Sequence, residues 1–196
     1  MALPPSRAPD AEINHTASLN YWSSISPDVH GMLGGFPQIS RADVQGSANF
    51  LAKLRRLEPS PQKDNSRPFR AADCGAGIGR VTHGFLAKAC DVVDIVEPIE
   101  KFVAEIREGE AFRALREKGR IGDIFTVGLE DWRPERGHYG LIWNQWCVGH
   151  LKDEQLVAYL KRCGAALSSG GWVVVKENLS TGHEDVFDPV DSSVTR

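Results

Sequence analysis

From Phe69 onward the sequence predicts an α/β domain built on a doubly wound parallel sheet, and three observations carry that prediction. Short apolar runs alternate with amphipathic stretches at helical spacing. The runs are apolar at nearly every residue rather than at every second one, as strands covered on both faces require. The first run, Phe69 to Cys74, leads straight into a glycine cluster at Gly75, Gly77 and Gly79. A length of 196 residues, 41 % of them apolar and 25 % charged, suits one globular domain. The net charge of -3 gives no reason to expect nucleic acid or an anionic membrane as partner. No apolar run approaches the roughly 18 residues of a spanning helix, and MALPPSRAPDAEINH lacks the apolar stretch of a secretory signal. Cys74, Cys90, Cys147 and Cys163 form no C-x-x-C pair. Reduced thiols are therefore expected, and neither a disulfide framework nor a metal site.

Taken in order, residues 1–18 are rich in Pro, Ser and Ala without periodicity and are expected to form a disordered arm. Residues 19–58 are expected to form a helical cap. There Ser40 has the look of an N-cap, with Asp43 three positions later in capping-box spacing, and Val44, Ala48, Leu51, Leu54 and Leu57 share one helix face. The polar, proline-bearing stretch from Glu58 to Pro68 connects the cap to the core at 69–196. In the core, helices are expected from about Gly79 to Cys90, around Phe102, Val103 and Ile106, and from Asp153 through Leu167. The remaining strands are Val92 to Glu97, Ile124 to Val127, Tyr139 to Trp146 and, after a turn at Gly170-Gly171, Trp172 to Lys176.

In such a sheet ligands bind beyond the carboxyl ends of the strands. The glycines read G-x-G-x-G, one residue short of the dinucleotide fingerprint, and Asp73 stands two places before the first of them. A carboxylate there repels a pyrophosphate but welcomes an ammonium group. Glu97 closes the second strand, where a carboxylate can accept both hydroxyls of a ribose. Together they point to an adenosine carrying an amino-acid tail, S-adenosylmethionine. Gly75 and Gly77 let the ligand lie against the backbone. Leu129 and Glu130 follow the third strand, suited to flank the adenine, although Leu129 equally suits a core. Arg80 offers a fork matched to the ligand's carboxylate, or else a surface ion pair.

The fourth strand ends in Trp143-Asn144-Gln145-Trp146-Cys147-Val148-Gly149-His150. Trp143 is read as structural, whereas Trp146 and His150 lie past the strand end and are expected to face the site. The stretch from Glu177 to Arg196 carries five acids against one base, either a solvated loop or an acidic binding wall. At this point the sequence resembles the protein N-terminal (alpha-N) methyltransferases, which act on chain starts of the form Xaa-Pro-Lys/Arg. The resemblance runs from Tyr21 to Arg196. It is carried by YW at Tyr21, GMLGG with IS from Gly31 to Ser40, DCGAGIGR at Asp73, GLEDW at Gly128, IWNQWCVGHL at Ile142, VKEN at Val175 and DPVDSSV at Asp188.

The resemblance implies a class I S-adenosylmethionine-dependent methyltransferase fold with an N-terminal helical extension. It implies that Gly75, Arg80, Glu97, Leu129, Glu130 and Gln145 surround the cofactor. Trp22, Leu33, Ile39, Trp146, Asn178, Asp188, Asp191 and Ser193 would contact the peptide, with Gly34 completing a slot for its proline. His150 and Asp191 would do the acid-base work. Ribosomal proteins with such chain starts are the implied substrates, with the cytoplasm as location and the nucleus as a second compartment. Glu97 stands where the family carries a shorter acid. Its usual strand order, 3-2-1-4-5-7-6, leads one to expect that the last strand hairpin is missing here and that Trp172 to Lys176 is an edge strand. Two other functions stay open at this stage: a catalytically silent truncated form that binds cofactor or partner, and a methyltransferase for a small molecule.

Overall fold

The computed structural model describes residues 8–57, 68–182 and 184–196. The first seven residues of the expected arm, most of the Glu58–Pro68 connector and His183 lie outside the described residues. Five parallel strands form the sheet: β1 (Arg70–Cys74), β2 (Val92–Val96), β3 (Ile121–Phe125), β4 (Tyr139–Gln145) and β5 (Leu167–Lys176), in the order β3-β2-β1-β4-β5. The reversal at β1 opens a crevice between the loops that leave β1 and β4. Every residue of β4 is buried, which accounts for the apolar run from Tyr139 to Trp143, and Asn144 and Gln145 at its end are buried polar residues. β3 begins three residues earlier than the sequence suggests. β5 starts at Leu167, and its register against β4 shifts between Tyr139 and Leu141 where Gly170 takes a positive φ.

Before the sheet come three helices, α1 (His15–Ser24), α2 (Val29–Met32) and α3 (Ser40–Leu57). For residues 8–18 the expected disorder is corrected. From residue 8 the chain is ordered, because its polar side chains find distant partners. Asp10 accepts the Asp153 N–H at 3.1 Å, and Ser192 Oγ accepts the Asn14 N–H at 2.8 Å. Such pairs join the arm to elements more than 140 residues away, which no local pattern can announce. Asn14 caps α1 through the Ala17 N–H. At the other end of α1, Lys101 donates to the Ser23 and Ile25 carbonyls.

After β1 the chain winds a π-helical turn (Thr82–Leu86) into α4 (Ala87–Ala89). Helix α5 (Glu100–Arg107) follows β2, α6 (Arg113–Glu117) precedes β3, and α7 (Asp153–Ala166) joins β4 to β5. The start of α7 is set by Gln155, whose side chain accepts the Lys152 N–H at 3.0 Å, and by Asp10 from the arm. α3 packs its apolar stripe on the π-helical turn. Val44 lies against Gly84, and Leu51 is 1 % exposed in the core. Burying a leucine this completely contributes roughly 1.5–3 kcal/mol. Last, β6 (Val186–Asp188) and β7 (Ser193–Thr195) pair as a small antiparallel hairpin, so the acidic stretch is folded rather than a bare loop.

Candidate active site

Where β1 and β2 end, the chain makes the inner wall of a cavity of about 170 Å³. Gly75, Gly77 and Gly79 all have positive φ. At Gly75 the reason is also close packing, since a Cβ there would collide with Cys147 Cβ. Glu97 is 5 % exposed. Its Oε2 accepts the Gly77 N–H at 2.7 Å and its Oε1 the Ile99 N–H at 2.9 Å, so the acid holds the glycine loop to the end of β2. Burial outweighs those bonds and pushes its pKa up to about 7. Gly75, Gly77, Arg80, Glu97, Leu129, Glu130 and Gln145, expected around the cofactor, all line this cavity.

Asp73 is not among the residues lining the cavity. It is buried within β1 and turned to the helix that follows, where Oδ2 accepts from Thr82 N at 3.1 Å and Thr82 Oγ1 at 2.6 Å. Burial raises its pKa to about 6 despite these bonds. Its work in this structure is to tie the strand to the helix start.

A second, larger cavity of about 550 Å³ opens on the outer side. Trp22, Leu33, Ile39, Trp146, Asn178, Asp191 and Ser193 line it together with His150, as the motif positions led one to expect. Gly34 and Asp188 are not among its lining residues. Gly34 turns with φ +56° in the link before α3, and Asp188 Oδ1 accepts the Val190 N–H at 2.8 Å in the hairpin turn. Trp22, Met32, Trp146 and His150 line both cavities and form the seam between them.

His150 sits at that seam with both ring nitrogens engaged. The Trp22 indole N–H can only donate, so Nε2, 3.2 Å away, is the accepting nitrogen. The proton of the neutral ring is then on Nδ1, which donates to Ser18 Oγ at 3.0 Å. Burial lowers the pKa, with the Asp191 charge opposing, so the imidazole stays neutral at neutral pH and retains basic character. Asp191 accepts from Ser193 Oγ at 2.6 Å. The loop after β4 is clamped too. Glu177 Oε1 accepts the Cys147 and Val148 N–H groups at 2.7 and 2.9 Å, and the Lys176 carbonyl accepts the Trp146 N–H at 3.0 Å. Trp146 itself adopts φ +57°, a left-handed backbone that a bulky residue keeps only when its surroundings impose it.

Several side chains escaped the sequence reading. Asp43 caps nothing; its carboxylate accepts from Arg80 at 2.6 Å, from Gln145 at 2.8 Å and from Lys176. The available signal was its place four and eight residues before Ser47 and Leu51, both 1 % exposed, which puts an acid on the buried face of α3. Glu177 lay in the VKEN stretch without an assigned role, while Ser18 and Met32 carried no comparable signal, because each holds its place through a contact made in space.

The residues at the inner cavity fit S-adenosylmethionine. A half-neutralised carboxylate at the end of β2 suits a ribose diol, Leu129 and Ile99 give apolar walls for an adenine, and Arg80 offers a guanidinium to a carboxylate. Comparison with known proteins agrees. Residues 10–196 match the family described as AdoMet dependent proline di-methyltransferase. Alpha N-terminal protein methyltransferase 1 of Schizosaccharomyces pombe is 44 % identical over 189 residues, covering 95 % of this chain and 80 % of the relative. N-terminal Xaa-Pro-Lys N-methyltransferase 1-A of Xenopus laevis is 42 % identical over 178 residues, covering 90 % and 75 %. Among solved structures, a SAM-dependent methyltransferase of Leishmania major superposes with a TM-score of 0.78 at 28 % identity, covering 100 % of this chain and 84 % of that one. A parallel sheet in methyltransferase order, a cavity fitted to an adenosine with an amino-acid tail, and this depth of likeness have one conclusion: the chain belongs to the family of AdoMet-dependent proline di-methyltransferases.

Proposed function

We propose that this methyltransferase acts on the α-amino group of protein chains that start Xaa-Pro-Lys/Arg. The observation that carries the reading is the seam: a neutral, partly buried imidazole and two indoles stand where the donor cavity and the outer cavity meet. S-adenosylmethionine supplies the electrophilic methyl group. The chain's own task is to align an amine with it and to free the amine's lone pair.

An α-amino group has a pKa of roughly 7.7–8.0 and arrives largely protonated. His150 Nε2 carries a lone pair that the Trp22 indole occupies. An ammonium that displaces the indole donor meets that lone pair, and Nδ1–H stays anchored on Ser18. The Asp191 charge favours the imidazolium that results. Trp22 and Trp146 present aromatic faces to a nitrogen that becomes more cationic with each methyl, a contact contributing about 2 kcal/mol when desolvated. Leu33 and Ile39 offer the apolar surface a second-position proline needs, and its fixed φ lowers the cost of ordering the peptide. Asn178 can fix a peptide carbonyl. Asp191 and Glu177 on the same cavity, with Asp188 on the adjoining hairpin, favour a basic third residue. The relatives named for Xaa-Pro-Lys substrates support this acceptor. The reading extends to ribosomal proteins with such starts, in the cytoplasm and the nucleus, as the family likeness implies.

The test is mass spectrometry of a Ser-Pro-Lys peptide incubated with the protein and S-adenosylmethionine. Mass should rise in methyl steps, and an N-acetylated copy of the peptide should stay unchanged. Binding of the peptide with no mass gain would overturn the catalytic reading.

A further inference from the structure

Asp43 lines neither cavity, yet three side chains converge on it, two of them walls of the inner cavity. Its side chain is 7 % exposed, on a helix outside the sheet. Oδ2 accepts from Arg80 at 2.6 Å, Gln145 Nε2 donates to both oxygens at 2.8 and 3.0 Å, and Lys176 Nζ donates to Oδ1 and also to Ser47 Oγ at 2.9 Å. Arg80 and Gln145 are walls of the inner cavity. The two cations lie over the Trp146 ring, the guanidinium carbon at 5.3 Å from its centroid and the ammonium at 5.8 Å. Burial alone would raise the Asp43 pKa, but the bonds from Lys176, Arg80 and Gln145 outweigh it and hold the carboxyl below the ordinary range. The group is therefore a fixed anion between two cations that would otherwise repel each other.

Arg80 has five N–H donors, and Asp43 takes only one of its terminal nitrogens. What remains of the fork belongs to a residue whose place in the inner wall is set from α3. We propose that Asp43 is a positioning residue for the methyl donor: it fixes Arg80 so that the free part of the guanidinium receives the carboxylate of the donor's amino-acid tail, which makes docking of α3 a condition of donor recognition. The proposal uses the donor cavity of the function proposed above and none of its acceptor chemistry. A protein that binds donor and methylates some other amine leaves it intact.

The test compares two ligands by calorimetry on the whole chain: S-adenosylhomocysteine, which has the amino-acid tail, and 5′-methylthioadenosine, which lacks it. Asp43→Asn should weaken S-adenosylhomocysteine by about tenfold or more and leave 5′-methylthioadenosine nearly unchanged. In an Arg80→Ala background the same substitution should add almost nothing, because its effect passes through the arginine. Equal losses for both ligands, or losses that add across the two substitutions, would overturn the proposal, since a merely structural role gives those results. If circular dichroism shows Asp43→Asn unfolded, Asp43→Glu carries the same comparison. It keeps the charge and shifts the carboxylate by one methylene, and a tail-selective loss supports the proposal while an equal loss rejects it.

Discussion

The inner and outer cavities share four residues but are built in different ways. The inner wall is made mostly by strand ends and the tight loops that leave them, within short stretches such as 75–80, 97–99 and 128–130, and α1 closes it with His15, Ser18, Leu19 and Trp22. Most of its geometry follows from the sheet. The outer wall is assembled from the two extremes of the chain: α1 and the link before α3 on one side, and the segment after β5 with the β6–β7 hairpin on the other. It is held by single long-range bonds, Asn14 to Ser192, Asp10 to Asp153 and Ser18 to His150. A cavity made by a sheet is present once the domain folds, whereas one made by chain ends depends on each of its few ties.

The largest effect expected from this contrast is at the seam. His150→Gln should lower kcat for the peptide by about 10²–10⁴-fold, the usual range for a lost general base, with S-adenosylhomocysteine affinity nearly unchanged. A parallel loss of affinity, read by calorimetry, would show the two cavities to be one unit. Next comes the inner wall's response to pH. With its pKa near 7, Glu97 is mostly neutral at pH 6 and mostly ionised at pH 8, and ribose hydroxyls donate best to the ionised form. Affinity for S-adenosylhomocysteine should therefore fall by about tenfold from pH 8 to pH 6. Glu97→Gln should flatten that profile. The sign for stability is the reverse. A carboxyl whose pKa is raised in the folded state contributes fully below its ordinary value, and that contribution is lost as pH rises through about 7. The free protein should thus melt lower at pH 8 than at pH 6 on account of Glu97, and bound ligand should reduce the difference. The smallest effect tests α1, which borders both cavities. Asn14→Ala removes the α1 cap, leaves the backbone bond to Ser192, and should cost about 1 kcal/mol by thermal melting. It should also raise KM for peptide and for S-adenosylmethionine together.

The same contrast governs what could be read in advance. The sheet, its parallel sense and the crevice were legible because near-continuous apolar strands and a glycine loop are local facts, and Glu97 and Leu129 came with them, whereas Gln145 came only from the family resemblance. Asp73 stands outside the cavity lining, because proximity in sequence to the glycine loop does not fix which way a strand residue points. It faces Thr82 and the helix. The order of residues 8–18 was illegible, since their composition is that of an arm and their partners lie at the far end of the chain. Asp43 illustrates a third kind of failure. Its spacing from Ser40 fits a helix cap, and only the arrival of Arg80, Gln145 and Lys176 from three separate segments reveals a buried anion.

Trp146 has a consequence of its own. Its left-handed backbone is a conformation glycine adopts freely and tryptophan does not. The indole keeps that backbone at a conformational penalty of about 1–2 kcal/mol, set against the packing of its ring beneath the Arg80 and Lys176 cations. The ring therefore braces the two cations as well as facing the site. Trp146→Gly is expected to relax the turn yet melt lower than its parent, and to lose the aromatic floor on which the reacting amine would rest.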